Sequence, residues 1–319
     1  MFKKKTGRKV VPQYLLLGAS GVLGGAVYRE FIAQGIECLY KTREALDVTD
    51  YAEVRRQVML LKPELVINAT GFTDVYTAEE EAGRQRCWKV NVGAVDNLVK
   101  LCAREDVPLI QFSDSRVFGD ALGNTPRQES DPLCPMGNYA QSRACGEIAV
   151  LGASQMVCPE FWNRGFRYWL IRTSYLFSSV DSKRRNEMTM NLDLATRRGG
   201  YAAPIPSDVY RSITYAPHLA KVVVWLARHH REVVSGVYHV CNAGYGSLYG
   251  YYSKLARDVG RGRLQFRAEP AAEIARATGV NHRITTRYAG LVCDKWYEIA
   301  PFEIPTAEDA LAEFARCLG

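Results

Sequence analysis

Short apolar runs alternate along this chain with longer stretches in which apolar residues recur every three or four positions. Residues 14–17 are four apolar positions in a row, and from Gly21 to Gln34 the side chains of Val22, Leu23, Val27, Phe31 and Ile32 share one helical face, with Gly35 as a natural stop. The alternation continues with a strand over 36–40, a helix over 51–61, a strand over 64–68 and a long helix over 88–104. It goes on with strands over 109–112 and 169–172 flanking a helix over 139–151. Such a pattern predicts parallel strands joined by right-handed crossovers: an α/β fold built on a doubly wound parallel sheet of Rossmann type.

After Phe177 the alternation lapses. A basic, polar stretch (178–198) and a proline-containing loop (203–207) precede one more strand, 236–240, and the remainder to Gly319 is predicted mainly helical. The expected organisation is a basic tail over 1–12 and a nucleotide-binding Rossmann unit over 13–177, rejoined by a return segment at about 205–242. A smaller, mainly helical substrate lobe would be formed by 178–204 and 243–319.

Composition narrows the class. With 47% hydrophobic and 24% charged residues the chain can fill a large core, and its longest apolar run, 222–227, is far short of the roughly 18 residues that span a bilayer. Lys3-Lys4-Lys5 is not followed by the apolar segment of a signal peptide. Nine scattered cysteines without a Cys-x-x-Cys pair, and five histidines without ligand spacing, predict reduced thiols in a cytoplasmic protein and no metal site. The formal charge of +7 is dispersed, so no nucleic-acid partner and no membrane partner is expected; a diphosphate-bearing small molecule suits it better.

Gly18-Ala19-Ser20-Gly21-Val22-Leu23-Gly24 lies between the first strand and the first helix. Its glycines allow a sharp turn, close approach of a pyrophosphate and tight packing of helix on strand. At the end of the second strand stands Lys41-Thr42-Arg43, with the first acid at Glu44. A cation there favours the extra phosphate of NADP, while a carboxylate would favour NAD, which stays open as the alternative.

Several further runs resemble the extended short-chain dehydrogenase/reductases, and among them the dTDP-4-dehydrorhamnose reductase family of sugar-nucleotide-binding proteins. They are 45–50 (Ala-Leu-Asp-Val-Thr-Asp), 66–70 (Val-Ile-Asn-Ala-Thr), Val90-Asn91-Val92-Gly93, Ser113-Asp114-Ser115-Arg116-Val117-Phe118, 139–147, 170–174 and 236–242. The resemblance implies an NADP-dependent reductase of a nucleotide-linked keto sugar, with Tyr139 protonating the carbonyl oxygen as hydride arrives from the nicotinamide. It implies cofactor contacts from Gly18, Ser20, Gly21, Val22, Leu23, Gly24, Arg43, Asp47, Val48, Asn68, Ala69, Thr70, Asn91, Ser113, Tyr139 and Arg143, and substrate contacts from Ser115, Arg116, Asn186 and Arg211. Lys183, Arg184 and Arg185 are further candidates for a diphosphate. Association into a homodimer is left open.

Two positions depart from the family pattern. Arg143 stands where the family has the lysine that steadies the phenolate, and Asp114 where it has a Ser or Thr that hydrogen-bonds the carbonyl. A guanidinium keeps the charge but is a bulkier, planar fork. An ionised Asp114 would repel the developing oxyanion. Pairing of Asp114 with Arg143 is one expected compensation; takeover of the hydroxyl role by Ser113 or Ser115 is another. Dehydratases of this scaffold carry Asp-Glu where Ser115-Arg116 stand, so elimination chemistry is not expected. The alternative function is a non-catalytic, cofactor-binding regulatory or scaffold subunit descended from such a reductase. The tyrosine-rich stretch 245–252 is expected to pack a helix into a core.

Overall fold

The computed structural model describes residues 14–155, 165–178, 186–197, 202–259, 264–279 and 286–318. Its first half runs β1 (Tyr14–Leu17), α1 (Val22–Ala33), β2 (Cys38–Lys41), α2 (Tyr51–Leu61), β3 (Leu65–Asn68), α3 (Glu81–Trp88), α4 (Ala94–Arg104), β4 (Leu109–Asp114), α5 (Gly137–Gln155) and β5 (Tyr168–Thr173). Then come β6 (Leu176–Phe177), α6 (Glu187–Arg197), β7 (Ala203–Pro206), β8 (Tyr210–Arg211), β9 (Thr214–Tyr215), α7 (Ala216–His229) and β10 (Gly236–His239). The chain closes with β11 (Gly246–Ser247), α8 (Leu248–Asp258), β12 (Phe266–Glu269), α9 (Ala271–Thr278), β13 (Tyr288–Ala289), α10 (Asp294–Tyr297) and α11 (Ala307–Leu318).

Six strands form one parallel sheet in the order β10-β5-β4-β3-β1-β2. Both faces are covered, which is why central strands such as β1 and β3 are buried at every position rather than at alternate ones. Leu15, Leu17, Val66 and Leu109 pack on one side with Val54, Val58, Val99 and Val150 of α2, α4 and α5. Leu16, Ile67, Ile110 and Ile171 pack on the other with Val27 and Phe31 of α1 and Val223 of α7. The chain leaves β1 for β2 on one side and returns to β3 on the other, so the strand order reverses between β1 and β3. That reversal point, at the carboxyl ends of the strands, is the usual ligand position in open α/β sheets.

A second core joins Phe177, Met188, Tyr215, Leu255, Leu311 and Phe314, and buries Tyr251 and Tyr252 of α8. The lobe around it is less purely helical than its sequence suggests, because β11-β8-β13 and β12-β7 form small sheets within it. The long helix expected over 88–104 also differs. Helical backbone begins at Glu81, and a π turn over Lys89–Gly93 separates α3 from α4. The extra residue in that turn follows from a buried side chain, Asn91, that bonds a loop outside the helix.

Candidate active site

Leu17 leads directly into Gly18, whose φ of +83° is open to glycine at little cost. The backbone N–H groups of Gly18 and Ala19 donate to Lys41 O at 2.9 and 3.1 Å, tying the loop to the end of β2. A Cβ on Gly24 would stand 2.2 Å from Gly18 O, so α1 can approach its strand this closely only without a side chain there. Gly21 is the N-cap of α1, in extended conformation, and no side chain caps the helix. Among the described residues the first-turn N–H groups at Val22 and Leu23, beside the half-buried Ser20, are therefore left without a side-chain cap, as an anion site requires. Ser113, at the end of β4, has a buried hydroxyl without a hydrogen-bond partner among the described residues. The glycine cradle and this orphaned hydroxyl both fit a dinucleotide laid across the carboxyl edge.

At the end of β2, Arg43 is largely exposed and lies 3.7 Å from Asp47. Asp47 Oδ1 accepts from both the backbone N–H and the hydroxyl of Thr49 at 2.9 Å. These bonds, the backbone one first, hold its carboxyl below the usual range, so Asp47 is occupied in shaping its own turn. Val48 packs half-buried on the core beside α2.

Asn68 is similarly committed. Its Nδ2 donates to Gln111 at 2.8 Å and its Oδ1 accepts from Thr70 N and Oγ1 at 3.2 and 2.6 Å, which fixes the loop Ala69-Thr70 against Gly18. Asn91 accepts from Phe72 N at 2.9 Å and donates to Phe72 O at 3.2 Å and to Ser142 at 3.0 Å. Asn68 and Asn91, expected as cofactor ligands, thus have their amides spent on the protein and serve as scaffold for the loop between them.

Tyr139, on the first turn of α5, is 5% exposed. Its hydroxyl donates to Asp114 Oδ2 at 3.3 Å and accepts from Arg143 Nε at 3.3 Å. The guanidinium lies 5.5 Å from the centre of the tyrosine ring and reaches on to Phe72 O at 3.5 Å. Burial pushes the phenol up to about 12; Arg143 opposes this and Asp114 adds to it. Asp114 Oδ1 accepts from the N–H of Arg116 at 2.8 Å and lies 4.0 Å from its Nε. The expected ion pair between Asp114 and Arg143 is not formed among the described residues, because the Tyr139 hydroxyl lies between them and Arg116 is the nearer cation.

The candidate substitutes for the missing hydroxyl are elsewhere. Ser115 Oγ donates to Ser174 at 2.8 Å, and Ser174 donates to Ala289 O at 3.0 Å, a relay from the turn after β4 to β13. Ser113, one position before Asp114 on β4, faces the other side of the strand, while Ser115 lies in the turn after it. Asn186 is corrected as a free substrate contact: its amide donates to Ser178 O at 2.8 Å and accepts from Thr189 N at 3.0 Å, capping α6. Arg211 is 2% exposed, and among the described residues its guanidinium donates to the carbonyls of Tyr210 and Thr286 rather than to a carboxylate. Burial and the nearby Arg116 bring it down to about 10. Lys183, Arg184 and Arg185 lie outside the described residues.

Gly71 was not singled out by its sequence context. A Cβ there would stand 2.6 Å from Arg143 Nη2, which only the fold reveals. Asn186 did carry a signal: an asparagine three residues before a threonine at a helix start is a capping pattern. Among the described residues no cluster of three or more His, Cys, Asp or Glu could hold a metal, and no helix is long and apolar enough to cross a membrane.

The sequence profile described as RmlD substrate binding domain matches residues 13–318. The chain is 29% identical over 235 residues to a dTDP-4-dehydrorhamnose reductase of Mycolicibacterium smegmatis, covering 74% of this chain and 65% of that one. It is 26% identical over 286 residues to a dTDP-4-keto-6-deoxy-D-glucose reductase of Streptomyces niveus, covering 90% of each. The crystal structure of a dTDP-4-dehydrorhamnose reductase from Bacillus anthracis in complex with NADP superposes with a TM-score of 0.78 at 21% identity, over 94% of this chain and 97% of that one. That likeness establishes the Rossmann-type fold.

Proposed function

The chain belongs to the RmlD substrate binding domain family, and on that footing we propose that it is an NADP-dependent reductase of a nucleotide-linked keto sugar of the 4-keto-6-deoxyhexose type. The observation that carries this reading is the placement of Tyr139. A buried phenol stands at the carboxyl end of β4 with Arg143 and Asp114 each 3.3 Å from its hydroxyl. The bound nicotinamide supplies the hydride. The chain supplies the proton, from Tyr139 to the carbonyl oxygen, and Arg143 steadies the phenolate that remains.

Asp114 is a working variant of the carbonyl-side group. In the resting site it accepts the Tyr139 proton bond; to act as acid, Tyr139 turns its O–H from Asp114 to the substrate oxygen. Arg116, beside Asp114, tempers the carboxylate's repulsion of that oxygen. The glycine loop from Gly18 to Gly24 would hold the pyrophosphate and Arg43 the adenosine-ribose phosphate of NADP. Arg211, a buried cation, is the group we assign to the substrate diphosphate, with Arg116 nearer the sugar. On this reading, residues 13–177 with the return segment at about 205–242 form the cofactor unit and 178–204 with 243–319 the substrate lobe, with β8 and Tyr215 of the return segment packed into that lobe. The free thiols suit the cytoplasm, and a homodimer is the assembly to seek by sedimentation.

A second reading is favoured by the same contact: a carboxylate that captures the catalytic hydroxyl is what a retired, cofactor-binding subunit would retain. One experiment separates the two. Purified protein is mixed with NADPH and a dTDP-linked 4-keto-6-deoxyhexose, and loss of reduced nicotinamide absorbance is followed beside Tyr139→Phe. Turnover abolished by that change supports the reductase. Saturable NADPH binding without turnover supports the retired site.

A further inference from the structure

We infer that Gly71 is a positioning residue for Arg143: the missing side chain at 71 makes the niche in which a guanidinium, in place of an ammonium, can reach the Tyr139 hydroxyl. The inference rests on the reductase reading for its kinetic consequence, but its geometry stands apart from it.

A Cβ on residue 71 would lie 2.6 Å from Arg143 Nη2, 3.0 Å from Nη1 and 3.1 Å from Cζ. All three nearest atoms belong to this one guanidinium. The backbone of Gly71 is not in the left-handed region, unlike that of Gly18 or Gly119, so nothing in its conformation requires glycine. The space alone requires it, and the space is occupied by Arg143.

The rest of the niche is built around the same fork. Phe72 O accepts from Arg143 Nη2 at 3.5 Å, and Asn91 grips that residue's N–H and carbonyl at 2.9 and 3.2 Å. Ser142, the neighbour of Arg143 in sequence, accepts from Asn91 at 3.0 Å. One end of the fork is thus anchored on a backbone carbonyl that a buried asparagine holds, while Nε faces the Tyr139 hydroxyl at 3.3 Å. A planar cation with donors on two sides makes both contacts at once; a lysine offers a single head group. Arg143 therefore sits in a site shaped for it, which separates it from a lysine lost by drift.

A methyl at 71 would first meet the far end of a flexible side chain, so the fold survives and the guanidinium moves. The test is a cycle of four proteins: wild type, Gly71→Ala, Arg143→Lys and the double variant. Two readouts are taken. One is kcat and KM for NADPH-dependent reduction of the keto sugar. The other is the NMR shift of the Tyr139 Cζ carbon in tyrosine-labelled protein at neutral pH, assigned by its loss in Tyr139→Phe.

Gly71→Ala should lower kcat about tenfold with KM for the sugar little changed, a fraction of the usual worth of a general acid. It should also displace the Tyr139 resonance. In the Arg143→Lys background the same change should cost little, so the double variant should match Arg143→Lys in kcat and its tyrosine resonance should move little from that of Arg143→Lys. Equal effects of Gly71→Ala in both backgrounds would overturn the inference, as would an unmoved Tyr139 resonance in Gly71→Ala. If no protein of the set turns over, the reductase reading fails, while the resonance cycle still decides the niche.

Discussion

Tyr139 and Asp114 share a hydrogen bond of 3.3 Å in which the phenol donates to a carboxylate. The carboxylate is one reason, after burial, that the phenol is pushed up to about 12. A general acid must carry its proton, so activity persists as pH rises until the pH nears that value, and then falls.

Asp114→Ser removes the negative neighbour. Tyr139 then ionises at lower pH, and the alkaline limb of the kcat–pH profile should move down relative to wild type. At pH 7 kcat should rise on the order of tenfold, since a hydroxyl donor replaces a charge that opposes the oxyanion. Steady-state rates between neutral pH and the alkaline limb check both. An inactive Asp114→Ser would mean that Asp114 itself handles the proton.

Gly24→Ala brings a methyl within 2.2 Å of Gly18 O, an atom fixed in the loop that ties β1 to β2. Backbone cannot step aside as a side-chain tip can, so α1 must shift. The expected cost is about 1–3 kcal/mol of stability by urea unfolding. NADPH affinity, read by fluorescence titration, should weaken at least about tenfold because the helix N-terminus is displaced from the phosphates. An unaltered affinity would move the cofactor elsewhere.

Arg43 is exposed and only loosely paired with Asp47, so its charge is available at the end of β2. Arg43→Ala should raise KM for NADPH about tenfold, the worth of one charge-assisted hydrogen bond, and leave KM for NADH nearly unchanged. A parallel rise for both cofactors would place the extra phosphate away from this arginine.

His239 is buried beside the Arg172–Glu147 ion pair, whose closest contact is 2.8 Å. Burial first, and then the Arg172 charge, bring the imidazole from 6.5 down to about 3. The folded protein therefore keeps His239 neutral where the unfolded chain protonates it. Its contribution is intact above pH 6.5, and it is lost as pH falls from there towards about 3. The slope from this one group is about 1.4 kcal/mol per pH unit. Urea unfolding at a series of pH values should give a shallower acid slope for His239→Gln than for wild type. Parallel slopes would show that His239 is not the responsible group.

The sheet could be read from sequence because its central strands begin as short apolar runs between helical patterns, and Leu15-Leu16-Leu17 followed by Gly18, Gly21 and Gly24 leaves one sensible arrangement. The Tyr139–Arg143 spacing was equally open, since one helical turn brings the pair together. Asn91 was harder: its partner Phe72 is 19 residues away, so neither the π turn nor the amide's commitment follows from local pattern. Gly71 was hidden for a related reason, because the atoms it makes room for are 72 positions further on. Asp114 was read as a departure, but its nearer cation, Arg116, is decided by the tight turn after β4, which brings the two residues back together.

The sixth strand of the sheet, β10, pairs with β5 only after β6, α6, β7, β8, β9 and α7 have intervened. The six-stranded sheet is therefore interrupted in sequence by strands and a helix that pack outside it. During synthesis, the edge of β5 stays without its outer neighbour until His239 has left the ribosome, and β5 holds Arg172 and Trp169 at that edge. Closure of the sheet is a late, long-range event, with the slow folding and exposure to misassembly that such pairing carries. A cut between β5 and β10 would not release an independent domain; it would leave both fragments with an unfinished sheet.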